Sequence, residues 1–73
     1  MLDEHPIKRR ARLEGRKLTW IAQRARLAPS RLSDIIAGRR KPREGDLERL
    51  AAASGVGLDE LEAWQRAADS LGE

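Results

Sequence analysis

The sequence predicts an all-α fold, a compact five-helix domain of 73 residues. Leu, Ala, Arg and Glu dominate the composition, and these residues favour helix. The β-branched aliphatic residues are four Ile and one Val, and no stretch alternates apolar and polar residues as a half-buried strand does. Gly and Pro then divide the chain into five segments of helical length.

The first three segments have clear starts and stops. The first, residues 6–14, opens with Pro6, which suits the first position of a helix. The second covers residues 18–25, and the third covers residues 29–37 and closes at Gly38. The apolar residues of the second and third segments that are spaced to share one face are Ile21, Ala22, Ala25, Leu32, Ile35 and Ile36.

Two further helices are predicted over residues 44–54 and 58–70. Both begin with acidic residues, which complement the positive end of a helix dipole. The chain is therefore expected to form one domain over residues 1–73, with a core at 6–61 and a C-terminal helical extension at 62–73. The acidic residues at the two helix starts are Glu44, Asp46, Asp59 and Glu60.

Positive charge is concentrated in the first part of the chain. Residues 1–43 hold thirteen Lys and Arg against four Asp and Glu, whereas residues 44–73 hold two against eight. Twelve of the fifteen cations are Arg, which suits bidentate contact with phosphate or base edges. This bias favours binding to a polyanion over the alternative of an ordinary solvated surface. A basic membrane-surface helix is disfavoured, because residues 7–14 contain few large apolar side chains.

Several classes of function are disfavoured by composition. The chain has no Cys and one His, so thiolate zinc sites and disulfides are excluded and a metal site is not expected. No nucleophile–base pair is evident, so we expect no enzyme and no cofactor. No apolar run approaches the roughly 20 residues that span a bilayer, and the N-terminus lacks the apolar part of a secretory signal. A cytoplasmic location is therefore predicted, and His5 is expected to be exposed without a role.

The second and third segments form the informative pair, because two short helices joined by a tight turn make a helix-turn-helix. Ala22 is small enough for the helices to approach closely, and Leu27 in the turn fills the space between them. A helix mounted in this way can enter the major groove with its N-terminus first. The residues left facing outward are predicted to be Pro29, Ser30, Arg31, Ser33 and Asp34.

The stretch KLTWIAQRARLAPSRLSDIIAGRRKP resembles the helix-turn-helix of the Cro/C1-type (XRE-type) phage and bacterial repressors. The downstream LERLAAASGVGLDEL resembles the last two helices of that family, so the likeness covers about residues 6–61. It implies a lambda-repressor-like domain that binds a pseudo-palindromic DNA operator, usually as a homodimer. The matching features are Ile21-Ala22, Leu27, Ser30, Leu32-Ser33, Ile35, Gly38 and the run Arg39-Arg40-Lys41-Pro42.

The chain departs from the family at three positions of the motif. Leu18 stands where a phosphate-binding Gln is common. Arg26 replaces the usual turn Gly and is expected to carry strain if its φ is positive. Ala28 replaces the usual Ser or Thr cap, which weakens the cap by about 1 kcal/mol, and Pro29 compensates in part by presetting φ.

The resemblance implies two groups of DNA contacts. Arg31 is expected to contact guanine, and Asp34 either accepts a hydrogen bond from cytosine or orients Arg31. The alternative for each is a surface side chain, and for the cations after the third helix it is stabilisation of that helix dipole. The predicted base contacts are Ser30, Arg31, Ser33, Asp34 and Arg40. The predicted phosphate contacts are Lys17, Thr19, Arg24, Arg39 and Lys41.

The two Trp residues, Trp20 and Trp64, are the only aromatic residues other than His5. No aromatic residue lies within the basic run, so base stacking is disfavoured, and Trp20 is expected to pack on the first helix. Trp64 lies in the acidic last segment, as extra core or at a dimer interface. The predicted dimer interface is Leu61, Trp64 and Leu71.

The favoured function is a sequence-specific, double-stranded DNA-binding transcriptional regulator, a dimeric repressor that contacts the major groove with helix 29–37. The alternative is an antitoxin-like module that binds a partner protein through the acidic helix around Glu60 and Trp64.

Overall fold

A computed structural model describes residues 4–71, and these residues form five α-helices and no strand. The all-α, five-helix prediction is therefore confirmed. The second, third and fifth helices differ from their predicted ends by one residue, while the fourth begins two residues later than predicted. The predicted domain limits at residues 1 and 73 lie outside the described part. The helices are α1 (Pro6–Glu14), α2 (Leu18–Arg24), α3 (Pro29–Ile36), α4 (Asp46–Ser54) and α5 (Leu58–Leu71).

The helices pack around a single cluster of apolar side chains, and the Cα radius of gyration is 11.1 Å. Leu61 of α5 is fully buried in this cluster. Its assignment to a dimer interface is therefore wrong, because no part of its side chain is available to another molecule. The buried members of the cluster are Ile7, Ala11, Ile21, Ala22, Ala25, Leu27, Leu32, Leu50, Val56 and Leu61.

The turn between α2 and α3 has the predicted strained residue. Arg26 has φ of +61°, in the left-handed region that costs a side chain steric energy. The Leu27 amide donates a hydrogen bond to the Ala22 carbonyl at 2.9 Å. The Leu27 side chain is buried and fills the space between the two helices, as predicted. Ala28 caps α3 without a side-chain hydrogen bond, and Pro29 occupies the first turn of α3.

His5 is buried rather than exposed, so that expectation is wrong. The residue is 4% exposed, and its Nδ1 accepts a hydrogen bond from the Ile7 amide at 3.1 Å, which caps α1. Its ring lies against Trp64 of α5, with the ring centroids 4.4 Å apart. Burial lowers the pKa of His5 to about 4. The ring is thus neutral near pH 7, as a hydrogen-bond acceptor has to be.

Two arginines of α1 also contact the region around the start of α5. Arg9 forms an ion pair with Glu60 at 3.0 Å, and Arg10 donates to the Gly55 carbonyl at 2.9 Å. These cations therefore have partners within the protein and connect α1 to α5 and to the segment before it.

Candidate nucleic-acid interface

The outer surface of α3 carries two of the predicted base-contacting side chains. Leu32 and Ile35 are fully buried, so the opposite face of this helix is turned to solvent. Ser30 and Ser33 lie on that face and are exposed. Their hydroxyl groups can donate and accept hydrogen bonds, as contact with base edges requires.

Arg31 does not lie on the outer face of α3, and this part of the prediction is wrong. Its side chain is 13% exposed and forms an ion pair with Asp46 of α4, at 2.9 Å between Nη2 and Oδ2. A guanidinium held in this way points into the protein. Arg31 is therefore placed as an internal contact of α3, away from the surface that Ser30 and Ser33 share.

Asp46, predicted only to complement the helix dipole, is the buried centre of a group of charged side chains. Its side chain is 3% exposed and accepts hydrogen bonds from the backbone amide of Arg43, at 2.8 Å, and from the guanidinium groups of Arg31 and Arg49. Burial by itself would raise the pKa of Asp46, but these hydrogen bonds and positive charges outweigh it and the pKa lies below its ordinary value. We call Arg31, Asp46 and Arg49 the Asp46 cluster.

A second carboxylate, Asp34, organises the basic loop after α3. Arg39 donates to Asp34 Oδ1 through Nε at 3.1 Å, and Arg40 lies 3.8 Å from Oδ2. The suggestion that Asp34 orients Arg31 is wrong, because its partners are Arg39 and Arg40. We call Asp34, Arg39 and Arg40 the Asp34 cluster. Lys41, next in the chain, is exposed.

The remaining predicted phosphate contacts lie before and along α2, with Lys17 and Thr19 at its start and Arg24 at its last residue. Lys17 and Thr19 are exposed. Arg24 is stacked on Trp20, 4.7 Å from the ring centroid, and Arg16 stacks on the same ring at 4.1 Å. Trp20 also packs against the core, so it holds two cations at the surface of α2. The contact of Arg16 with Trp20 was not predicted, and because Arg16 lies in the segment before α2, helical spacing gives no signal for it.

A groove of about 1010 Å³ connects the basic loop to α5. Its lining includes Ser33 and the cations Arg39, Arg40 and Lys41, together with Trp64 and Leu71 of α5. The loop cations therefore lie beside the exposed part of α3. Among residues 4–71, no group of three or more His, Asp or Glu side chains is placed to hold a metal ion. Within the same residues, every helix is too short or too polar to span a bilayer.

Two short helices joined by a tight turn, the second with an exposed polar face beside a cationic loop, define the helix-turn-helix class of DNA-binding regulators. A comparison with protein families agrees, since the model described as "Helix-turn-helix domain" matches residues 7–64. The chain belongs to this family, and the match is consistent with the Cro/C1-type resemblance. No curated protein and no solved structure matches the chain significantly.

Proposed function

We propose that the protein is a sequence-specific transcriptional regulator, acting as a repressor, that inserts α3 into the major groove of double-stranded DNA. The observation that carries this proposal is the joint placement of Ser33 and the loop cations Arg39, Arg40 and Lys41 along one groove. Base-edge contacts and phosphate contacts then come from adjacent parts of one surface, as sequence-specific binding needs.

Base contacts are assigned to the exposed side chains at and after α3. Ser30 and Ser33 lie on its outer face, and Arg40 extends from the loop with a side chain that is more than half exposed. Asp34 follows Ser33 and would lie close to the bases. Its hydrogen bond with Arg39 nevertheless indicates that it orients this cation. Arg31 is left out of this group because its guanidinium is internal.

Phosphate contacts are assigned to cations on both sides of α3. Arg39 and Lys41 follow it, and Lys17, Thr19 and Arg24 lie on or before α2. Contacts of this kind fix the position of the protein on the duplex and release counterions. The affinity is therefore expected to fall linearly on a log–log plot against salt, with a slope of about −0.9 for each phosphate contact.

Selection of bound duplexes from a random pool tests the proposal directly. A single enriched site, bound more tightly than a scrambled duplex of equal length, is the expected result. Ser33→Ala should then lower the affinity for that site selectively. Arg66→Met is the matched control for loop substitutions such as Arg39→Met, because it removes one exposed cation from α5, outside the proposed face. Equal binding to every duplex would contradict the proposal.

A homodimer on a pseudo-palindromic operator is part of the same proposal. Two half-sites about 10 base pairs apart give a small domain enough contacts for useful specificity. Trp64 is half-buried and Leu71 is 65% exposed, so both are accessible on α5. Sedimentation of Leu71→Glu tests this surface. Leu13→Glu is the matched control, because Leu13 is 70% exposed on α1, and dissociation by both substitutions or by neither would contradict the assignment.

A partner protein bound by α5 stays a prediction. Capture of one defined partner by the wild-type protein, lost on Trp64→Ala but retained by Ser33→Ala, would favour this second function over DNA binding alone.

A further inference from the structure

Asp46 and its partners connect the two helices of the helix-turn-helix with α4. It accepts hydrogen bonds from Arg31 in α3 and from the Arg43 amide in the loop that follows. Arg49, its third partner, also donates through Nε to the Ala25 carbonyl at the end of α2, at 3.1 Å. One buried carboxylate thus joins the end of α2, the first turn of α3 and the first turn of α4.

We propose that Asp46 and Arg31 are positioning residues that set the angle at which α3 meets DNA. They determine the sequence preference of Ser30 and Ser33 without touching a base themselves. This inference rests on the proposed function, since it concerns how the same surface selects its sequence.

The first turn of α3 needs such a support. Its cap residue, Ala28, makes no side-chain hydrogen bond, and a helix of eight residues is too short to be stable alone. Apolar contacts of Leu32 and Ile35 hold the helix against the core but tolerate small rotations. A hydrogen-bonded ion pair is directional, and a side chain of Arg31 bound to α4 opposes rotation of the end that carries Ser30.

The loop turns sharply directly before Asp46. Gly45 has φ of +86°, which an L side chain adopts with strain. A Cβ there would lie 3.5 Å from Nη1 of Arg49, an ordinary van der Waals distance, so the backbone conformation and not a lack of space favours glycine at this position. Arg49 closes the cluster on the side of α2 through its hydrogen bond to the Ala25 carbonyl, as Arg31 does on the side of α3.

The test compares Asp46→Asn with Glu48→Gln. Both remove one negative charge from α4, and Glu48 is exposed. A general electrostatic effect would strengthen DNA binding in both variants. A positioning role instead predicts that Asp46→Asn lowers the ratio of affinities for the selected and scrambled duplexes about tenfold, while Glu48→Gln leaves the ratio unchanged.

Arg31→Met provides the second variant, because it leaves Asp46 with Arg49 and the Arg43 amide and so disturbs folding less. We expect the same fall in the affinity ratio, and no further fall in the double variant, since the two residues act as a unit. Loss of preference in Arg31→Met but not in Asp46→Asn would overturn the proposal and assign Arg31 to a base. An unchanged ratio in both would overturn it as well.

Backbone dynamics of the folded variants provide a readout without DNA. Amide order parameters over residues 30–33 should fall from about 0.85 toward 0.6 in Asp46→Asn, with Leu61 and the Glu48→Gln protein unchanged. Unchanged order parameters over residues 30–33 would overturn the positioning role of Asp46 and Arg31 but leave the proposed function standing. A wild-type protein without any sequence preference overturns the proposed function, and the specificity role with it.

Discussion

Two Asp residues in this protein each hold two Arg side chains, but in opposite surroundings. Asp46 is 3% exposed and its partner Arg31 is 13% exposed, whereas Asp34 is 29% exposed and its partner Arg39 is 64% exposed. The hydrogen-bond lengths are similar, at 2.9 Å and 3.1 Å. The two clusters thus have the same kinds of side chain and similar hydrogen-bond lengths, and they differ in how far they are buried.

The difference separates a structural use of the ion pair, at Asp46, from the proposed use in binding, at Asp34. Water and salt screen the Asp34 cluster, so its pairs contribute little to folding and its cations can turn to phosphate. Asp46 and Arg31 are largely removed from water, so losing Asp46 leaves the Arg31 charge uncompensated inside the protein.

The largest effect is expected from Asp46→Ala, which leaves Arg31 buried without its partner. The free energy of unfolding should fall by about 3–5 kcal/mol, measured by urea denaturation. Asp34→Ala is the matched substitution in the exposed cluster and should cost less than about 1 kcal/mol. Similar losses from the two substitutions would contradict the contrast in burial.

A fall in pH should also destabilise the protein through its buried titratable groups. His5 has a pKa of about 4 in the folded protein against 6.5 ordinarily, so the unfolded chain binds the extra proton and stability is lost as the pH falls from 6.5 to 4. The expected loss from His5 alone is on the order of 3 kcal/mol. The pKa of Asp46 is also lowered, so its contribution is lost at still lower pH.

His5→Asn is the variant that isolates this loss, because Asn can still cap α1 but does not titrate. Thermal melting from pH 7 to pH 4 should show a shallower decline for His5→Asn than for the wild type. Parallel curves would exclude His5 as the source.

A smaller effect is expected at the turn that Arg49 of the Asp46 cluster contacts. Arg26 has a positive φ, so Arg26→Gly removes steric strain and should stabilise the protein by about 1 kcal/mol, after the entropy that Gly gains on unfolding. Arg26→Ala removes the same charge but keeps the strain. Chemical denaturation should therefore show a gain for Gly only, and an equal gain for Ala would assign it to charge.

The smallest effect is expected from Asp34→Asn. It removes the anion that holds Arg39 and Arg40, so the affinity for a scrambled duplex should rise a few-fold while the melting temperature stays nearly constant. Titration of both duplexes at two salt concentrations measures this change. A fall in affinity would instead show that DNA binding gains more from Arg39 and Arg40 being held in place by Asp34 than from their release.

Local signals explain which features were predictable. Pro6, Pro29 and the glycines fixed most helix ends, and the replacement of a turn Gly by Arg26 indicated its positive φ. The pairing of Arg31 with Asp46 joins residues fifteen positions apart, and the helical period alone placed Arg31 outside.

A signal for Asp46 nevertheless exists in the sequence. Asp46 lies four residues before Leu50 and eight before Ser54, on the buried stripe of α4. An acidic residue on such a stripe needs a cationic partner. The position of His5 directly before Pro6 similarly indicated a cap. Which cation Asp46 would select depended on tertiary packing, and the sequence contained no direct information on it.

The contact of His5 with Trp64, and that of Arg9 with Glu60, have a consequence for synthesis of the protein. Because α1 precedes α5 in the chain, it receives its final neighbours only when α5 has emerged from the ribosome, so packing of this domain is completed late in its own synthesis. Chains interrupted before α5 would leave His5 without Trp64 and Arg9 without Glu60, and we expect cellular proteases to remove such chains quickly.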